Sequence, residues 1–114
     1  MCATAEVWCH LLDQMGELEH ISHDEAVCIY TAMMCDTGAF TYASNRPAVY
    51  ECIGKLLACG IDKDKIYRNV FWTASPARMK LMGYMLYVKM ELVPQMHASI
   101  MTLTNSERRL FGIK

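Results

Sequence analysis

Asp36 is the residue of this sequence best placed to do chemistry. The run from Ala26 to Cys35 carries no formal charge, and Thr37 and Gly38 follow the lone acid directly. A carboxylate at the C-terminal end of a helix faces the negative pole of the helix dipole, which disfavours it by about 0.3–1 kcal/mol. Burial would add a larger desolvation cost. A cation against the carboxylate offsets both, and hard divalent ions favour such oxygen ligands. The competing reading is an Asx-turn to the backbone near Gly38, at the surface. The residue types alone leave both open.

Other chemistry-bearing residues are less suggestive. His20 and His23, with Asp24, could share a metal, but beside Glu17 and Glu19 they read as solvated polar residues at a helix start. His10 and His97 have no evident partner in the sequence. Ser44 and Cys35 lack a His or Lys at a spacing that would activate a nucleophile. No glycine-rich phosphate loop is present. Lys63, Lys65 and Arg68 alternate with acids as a solvated helix face does, and Arg108 and Arg109 read as exposed. The six cysteines fall in three pairs spaced by seven: Cys2 and Cys9, Cys28 and Cys35, Cys52 and Cys59. Two helical turns separate the members by about 10 Å, too far to bridge. They are expected to be small buried hydrophobes in a reducing compartment.

The elements that position these residues are helical. Ala3 to Met15 carries a broad apolar face and stops at Gly16. Ser22 with Glu25 forms a capping box, so a second helix is predicted from near His23 to about Cys35. It is apolar around most of its circumference and is expected to be covered on several sides. Residues 37 to 46 read as irregular. Asn45-Arg46-Pro47 starts a third helix that ends near Cys59 and Gly60. Asp62 caps a fourth, running to about Trp72. Ser75-Pro76 opens a long fifth helix to about Glu91. "HASIMTL", residues 97 to 103, is the only convincing strand. Thr104 with Glu107 caps a final short helix that Gly112 ends.

The chain has 114 residues, enough for one domain. A net charge of −1 gives no global attraction to nucleic acid or acidic membranes. No apolar stretch approaches the roughly 20 residues that span a bilayer. The first ten residues lack the pattern of a secretory signal, so a cytoplasmic location is expected. The ten methionines fit core packing together with an adaptable surface.

Several segments together resemble a known family. "DEAVCIYTAMMCDTGAFTYASNRP" is similar to the fourth-motif segment of DHH-family phosphoesterases, of the bacterial nano-RNase and phosphoadenosine-phosphate phosphatase type. "LLACGIDKDKIYRNVFWTASPARMKLMGYML" resembles that family's Gly-Ile-Asp turn, helix and linker helix, and "ATAEVWCHLLDQMG" resembles the helix after its Asp-His-His motif. The resemblance implies a mostly α chain with one or two short strands, the helical C-terminal part of an α/β DHH domain. Residues 1 to 73 would end the catalytic domain, residues 74 to 93 would form the linker helix, and residues 94 to 114 would begin a DHHA1 domain. The lone strand would then find its sheet partners after Lys114.

The resemblance further implies hydrolysis of phosphoesters with two divalent ions, usually manganese. Substrates would be short oligonucleotides, cyclic dinucleotides or 3'-phosphoadenosine 5'-phosphate, with no membrane partner and a homodimer as candidate assembly. Asp36 matches the family's fourth-motif metal ligand, with Thr37 and Gly38 shaping its turn. Ser75 is expected to cap the linker helix and Arg78 to pair with an acid. The sequence departs from the family in lacking the Asp-x-Asp strand, the second-motif Asp, the Asp-His-His triad and the glycine-rich substrate loop. "SNRP" also stands where the family has an "SNTTP"-like stretch. One carboxylate cannot hold two metals, so the chain alone is expected to be inactive. The alternative is a small Met-rich helical interaction protein without catalysis.

Overall fold

The structure, a computed structural model, describes residues 4 to 113. The chain divides into two compact units, Met1–Val70 and Phe71–Lys114.

In the first unit the helices start and stop where their local chemistry dictates. Helix α1 spans Thr4–Gln14, and a short 3-10 turn covers Leu18–His20. Helix α2 spans His23–Asp36 behind a complete capping box: the Glu25 amide donates to Ser22 Oγ at 3.2 Å, and the Ser22 amide donates to Glu25 Oε2 at 2.8 Å. Helix α3 spans Pro47–Ala58, with Pro47 in the first turn, where its missing amide costs no hydrogen bond. Helix α4 spans Lys63–Phe71, and the Lys65 amide donates to Asp62 Oδ1 at 3.1 Å as the cap.

Helices α1, α2 and α3 pack on one another. Their shared core contains Cys9, Leu18, Met33, Met34, Val49 and Leu56, all fully buried. Two expectations fail in this unit. Helix α2 is covered on one face only: Ile29, Tyr30, Met33 and Met34 are buried, while Cys28, Ala32 and Cys35 are exposed. Its outer face is neutral rather than buried, because small residues with little polarity tolerate either environment. The cysteines are likewise not uniformly interior. Cys9 and Cys52 are buried, Cys59 is half-buried, and Cys28 and Cys35 are exposed; Cys2 lies outside the described residues.

In the second unit, helix α5 spans Pro76–Tyr84, and the Arg78 amide donates to Ser75 Oγ at 3.2 Å. The helix does not continue to Glu91. It widens into a π-helical turn over Met85–Lys89, and strand β1 comes next at Glu91–Val93. A 3-10 turn over Pro94–Met96, with His97 in the left-handed region at φ 49°, leads into strand β2, Ala98–Ile100. The two strands pair antiparallel, Glu91 opposite Ile100 and Val93 opposite Ala98. The strand expected to lack an internal partner therefore has one upstream of it, β1. Helix α6, Asn105–Leu110, carries the second capping box, on Thr104 and Glu107.

Glu107 also gathers this unit. It accepts from Tyr84 Oη at 3.1 Å and from Lys89 Nζ at 2.9 Å, and the Tyr84 ring lies 5.2 Å from that of Phe111. The Thr104 amide, with the Lys89 ammonium second to it, holds the Glu107 carboxyl down to about 2. Among the described residues of this unit none is buried, and Trp72, Met79, Leu92 and Met96 are largely exposed. A unit with so much uncovered apolar surface is built to be covered.

Candidate functional site

Asp36 is the last residue of α2, and its side chain is exposed. It takes no side-chain hydrogen bond among the described residues, so the Asx-turn to Gly38 does not form. The turn behind it is built by Thr37 instead. Thr37 is fully buried; its hydroxyl donates to the Met33 carbonyl at 2.8 Å and accepts from the Phe40 amide at 2.9 Å.

Beyond Thr37 the backbone reverses hand. Gly38, Ala39 and Phe40 have φ of 55°, 59° and 64°, and Ala43 has φ 53°. The Thr41 and Tyr42 amides both return to the Thr37 carbonyl, at 2.9 and 3.2 Å. The Ser44 hydroxyl donates to the Phe40 carbonyl at 2.8 Å. Left-handed conformations at non-glycine residues cost about 1–2 kcal/mol each. They persist only where the surroundings over-determine them, and such strain clusters at functional sites. Here the Phe40 ring is held between Tyr30 and Tyr50, with centroids at 5.8 and 6.4 Å. Gly38 could not carry a side chain, since a Cβ there would run into the Tyr42 ring.

The turn thus stops α2 abruptly and leaves the Asp36 carboxylate outward and uncommitted. Its chemistry suits a hard divalent ion. Among the described residues, however, no three His, Cys, Asp or Glu side chains converge as a metal site. The residues present do not by themselves fit a pair of metal ions.

The remaining expected residues are scattered over the surface. His20 and His23 stay exposed, with His23 Nδ1 3.7 Å from the exposed Asp24. Ser75 caps α5, but the exposed Arg78 pairs with no acid among the described residues. Lys63 is drawn to Asp64 at 2.8 Å, a contact that lifts the lysine and lowers the aspartate.

A second cluster was not anticipated. Glu6 on α1 is fully buried and accepts from the Arg46 guanidinium, at the head of α3. His10, one turn along α1, places Nε2 3.2 Å from Glu6 Oε1 and Nδ1 3.4 Å from Cys52 Sγ on α3. Burial pushes the Cys52 thiol, and the Cys9 thiol of the same core, above the usual thiol range. His10, expected to lack a partner, therefore has two. The four-residue spacing of Glu6 and His10 was the one signal available in the sequence. Close by, Lys55 Nζ reaches both Asp13 oxygens at 2.6 Å and ties α3 to α1.

Over its whole length the chain is similar to an exopolyphosphatase-related protein from Bacteroides fragilis known from a crystal structure. The two are 42% identical with a TM-score of 0.92, over 100% of this chain and 33% of that one. The chain thus spans about a third of the length of the solved protein it matches. No family model and no curated protein matches the chain. At this identity the likeness extends to the sequence as well as the architecture. No helix among the described residues is long and apolar enough to cross a membrane.

Proposed function

We propose that the chain is a helical portion of a DHH-type phosphoesterase: the C-terminal part of the catalytic domain to residue 73, the linker helix over 74 to 93, and the start of a DHHA1 domain from 94. Asp36 is one ligand of a divalent-ion site, filled by manganese, whose other ligands belong to a longer polypeptide. The observation that carries this reading is the likeness to a third of the Bacteroides fragilis protein, which covers 100% of this chain. The strained turn that presents an exposed carboxylate at the end of α2 supports Asp36 as the ligand.

Bound metal would supply activation of water and neutralisation of charge on phosphate oxygens. This chain supplies one carboxylate, held by Thr37 and the left-handed turn. The parent substrates are short oligonucleotides, cyclic dinucleotides or 3'-phosphoadenosine 5'-phosphate, at a cytoplasmic location and in a homodimer.

A chimera tests the proposal. The corresponding third of the Bacteroides fragilis protein is replaced by this chain and assayed with manganese and a dinucleotide. Hydrolysis by the chimera, lost by at least about a hundredfold in Asp36→Asn while the variant remains folded, is expected. Equal turnover in the variant and the parent chimera would remove Asp36 from the metal site. The chain alone is expected to give no turnover.

The exposed apolar surface of the second unit, Met79, Met82 and Met96 among it, favours a second reading: a non-catalytic interaction protein. It predicts a partner-dependent role that Asp36→Asn leaves intact.

A further inference from the structure

The first unit holds an aromatic-walled cavity that the metal reading does not use. It measures about 430 Å³, within the roughly 300–1,000 Å³ of small-ligand sites. Four rings wall it: Tyr30 from α2, Phe40 from the left-handed turn, Tyr50 from α3 and Tyr67 from α4. Lys63 and Asp64, in the first turn of α4, line it as well. We propose that this cavity binds a neutral, planar heteroaromatic ring with a lactam edge, an N–H beside a C=O. The lactam N–H meets Asp64, its carbonyl meets Lys63 and the Tyr30 hydroxyl, and the ring lies among the aromatic walls.

Tyr30 is the residue that points to a ligand. It is 5% exposed, yet its hydroxyl takes no hydrogen bond among the described residues. No sealed side-chain nitrogen or oxygen among them is left without a partner, so this hydroxyl is open to the cavity that Tyr30 lines. What bonds it must therefore come from the cavity, because a polar group brought so deep is costly unless it is bonded. Burial also holds it above the usual phenol range, so at neutral pH it is an uncharged donor and acceptor.

The charged pair fixes the class of ligand. Lys63 Nζ lies 2.8 Å from Asp64 Oδ1, and the two side chains are 51% and 70% exposed. Together they carry no net charge, which gives neither an anion nor a cation an advantage and suits a neutral molecule. They set a donor beside an acceptor, the complement of a lactam. The ammonium has two further protons and the carboxylate a second oxygen, so both can reach a ligand without giving up each other. The walls call for a flat partner. Phe40 makes tilted ring contacts with Tyr30 and Tyr50, and its backbone holds φ 64°, a strain of the kind that gathers at functional sites. Tyr50 is half-exposed and has ring surface left for a ligand to stack on.

The test uses the whole chain and 4-quinazolinone, a neutral bicyclic lactam, followed by NMR. Saturable shifts of the Tyr30, Tyr50 and Tyr67 ring signals are expected, with nuclear Overhauser contacts from the probe to those rings. The N-methylated lactam lacks the N–H and should bind at least about tenfold more weakly, the loss expected for a hydrogen bond to a charged group. Substituting the exposed Asp64 in Asp64→Ala should weaken the lactam by a similar factor and leave the N-methylated probe unchanged, a difference that a loosened fold would not produce. Tyr30→Phe keeps the ring and removes only the hydroxyl, and it should weaken the lactam at least about threefold. Absence of saturable binding, equal binding of the two probes, an unaffected Tyr30→Phe or Asp64→Ala variant, or shifts that gather around Trp8 in the cavity between α1 and α2 would each overturn the inference.

Discussion

Removing the Arg46 guanidinium should harm the fold more than neutralising the carboxylate it serves. The asymmetry comes from exposure: the Glu6 side chain is fully buried, whereas that of Arg46 is 46% exposed. Arg46→Met keeps the aliphatic stem and takes the guanidinium away from a buried carboxylate. Losing one partner of a buried pair costs about 3–5 kcal/mol. Arg46 is half in water and His10 remains within reach of Glu6, so about 2–3 kcal/mol is expected here. Glu6→Gln retains an acceptor oxygen and leaves a guanidinium that can turn to solvent, for about 1 kcal/mol. The double variant should be more stable than Arg46→Met alone, because no buried charge is left behind. Urea unfolding monitored by circular dichroism, with Trp8 fluorescence as a second probe, measures all four proteins. Arg46→Met should lower the midpoint by about 1–2 M at unchanged slope. An effect of Arg46→Met no larger than that of Glu6→Gln, or a double variant that simply adds the two losses, would refute the asymmetry.

Thr37→Val keeps the shape of a buried side chain but deprives the Phe40 amide of its acceptor, so a loss of about 1–3 kcal/mol and faster exchange of that amide by NMR are expected. Unchanged Phe40 exchange would mean that Thr37 does not hold the turn. Glu107 supplies the pH dependence of the second unit. Its folded value, about 2, lies below the ordinary glutamate value of about 4.3, so its contribution is present above that ordinary value and is lost as pH falls through about 2. An NMR titration should place it there and find it higher in Lys89→Met; a wild-type value near 4 would contradict the Thr104 and Lys89 contacts.

The helix starts were legible because they are written in adjacent residues. Ser22 with Glu25, Pro47, Asp62, Ser75 and Thr104 with Glu107 each act within one turn, and each marks the end it predicts. Strand β1 was not legible. Glu91 and Leu92 continue an apolar helical pattern from α5, and the hairpin turns at Pro94–Met96 and His97 rather than at an Asn-Gly type signal. The left-handed turn was hidden for a related reason: Ala39 and Phe40 are not residues that advertise positive φ, and the Thr37 hydrogen bonds together with packing of Phe40 against Tyr30 and Tyr50 hold the turn. At Asp36 the position was readable while the surroundings were not. The cluster around His10 shows the same limit. Its Glu6 contact spans four residues, but Arg46 and Cys52 arrive from 36 and 42 positions away, where spacing within a helix says nothing.

The π-helical turn at Met85–Lys89 bears on which changes of chain length this protein tolerates. Such a turn accommodates one residue more than an ordinary helical turn. Deleting one residue within it would let the helix close with regular spacing, yet each removed residue also rotates the downstream backbone by about 100° and draws it in by about 1.5 Å. Glu107 reaches both Tyr84, before the turn, and Lys89, at its end, so the two could no longer meet the same carboxylate. Relatives that gain or lose a single amino acid at this spot should therefore carry a compensating change in the partner of Glu107.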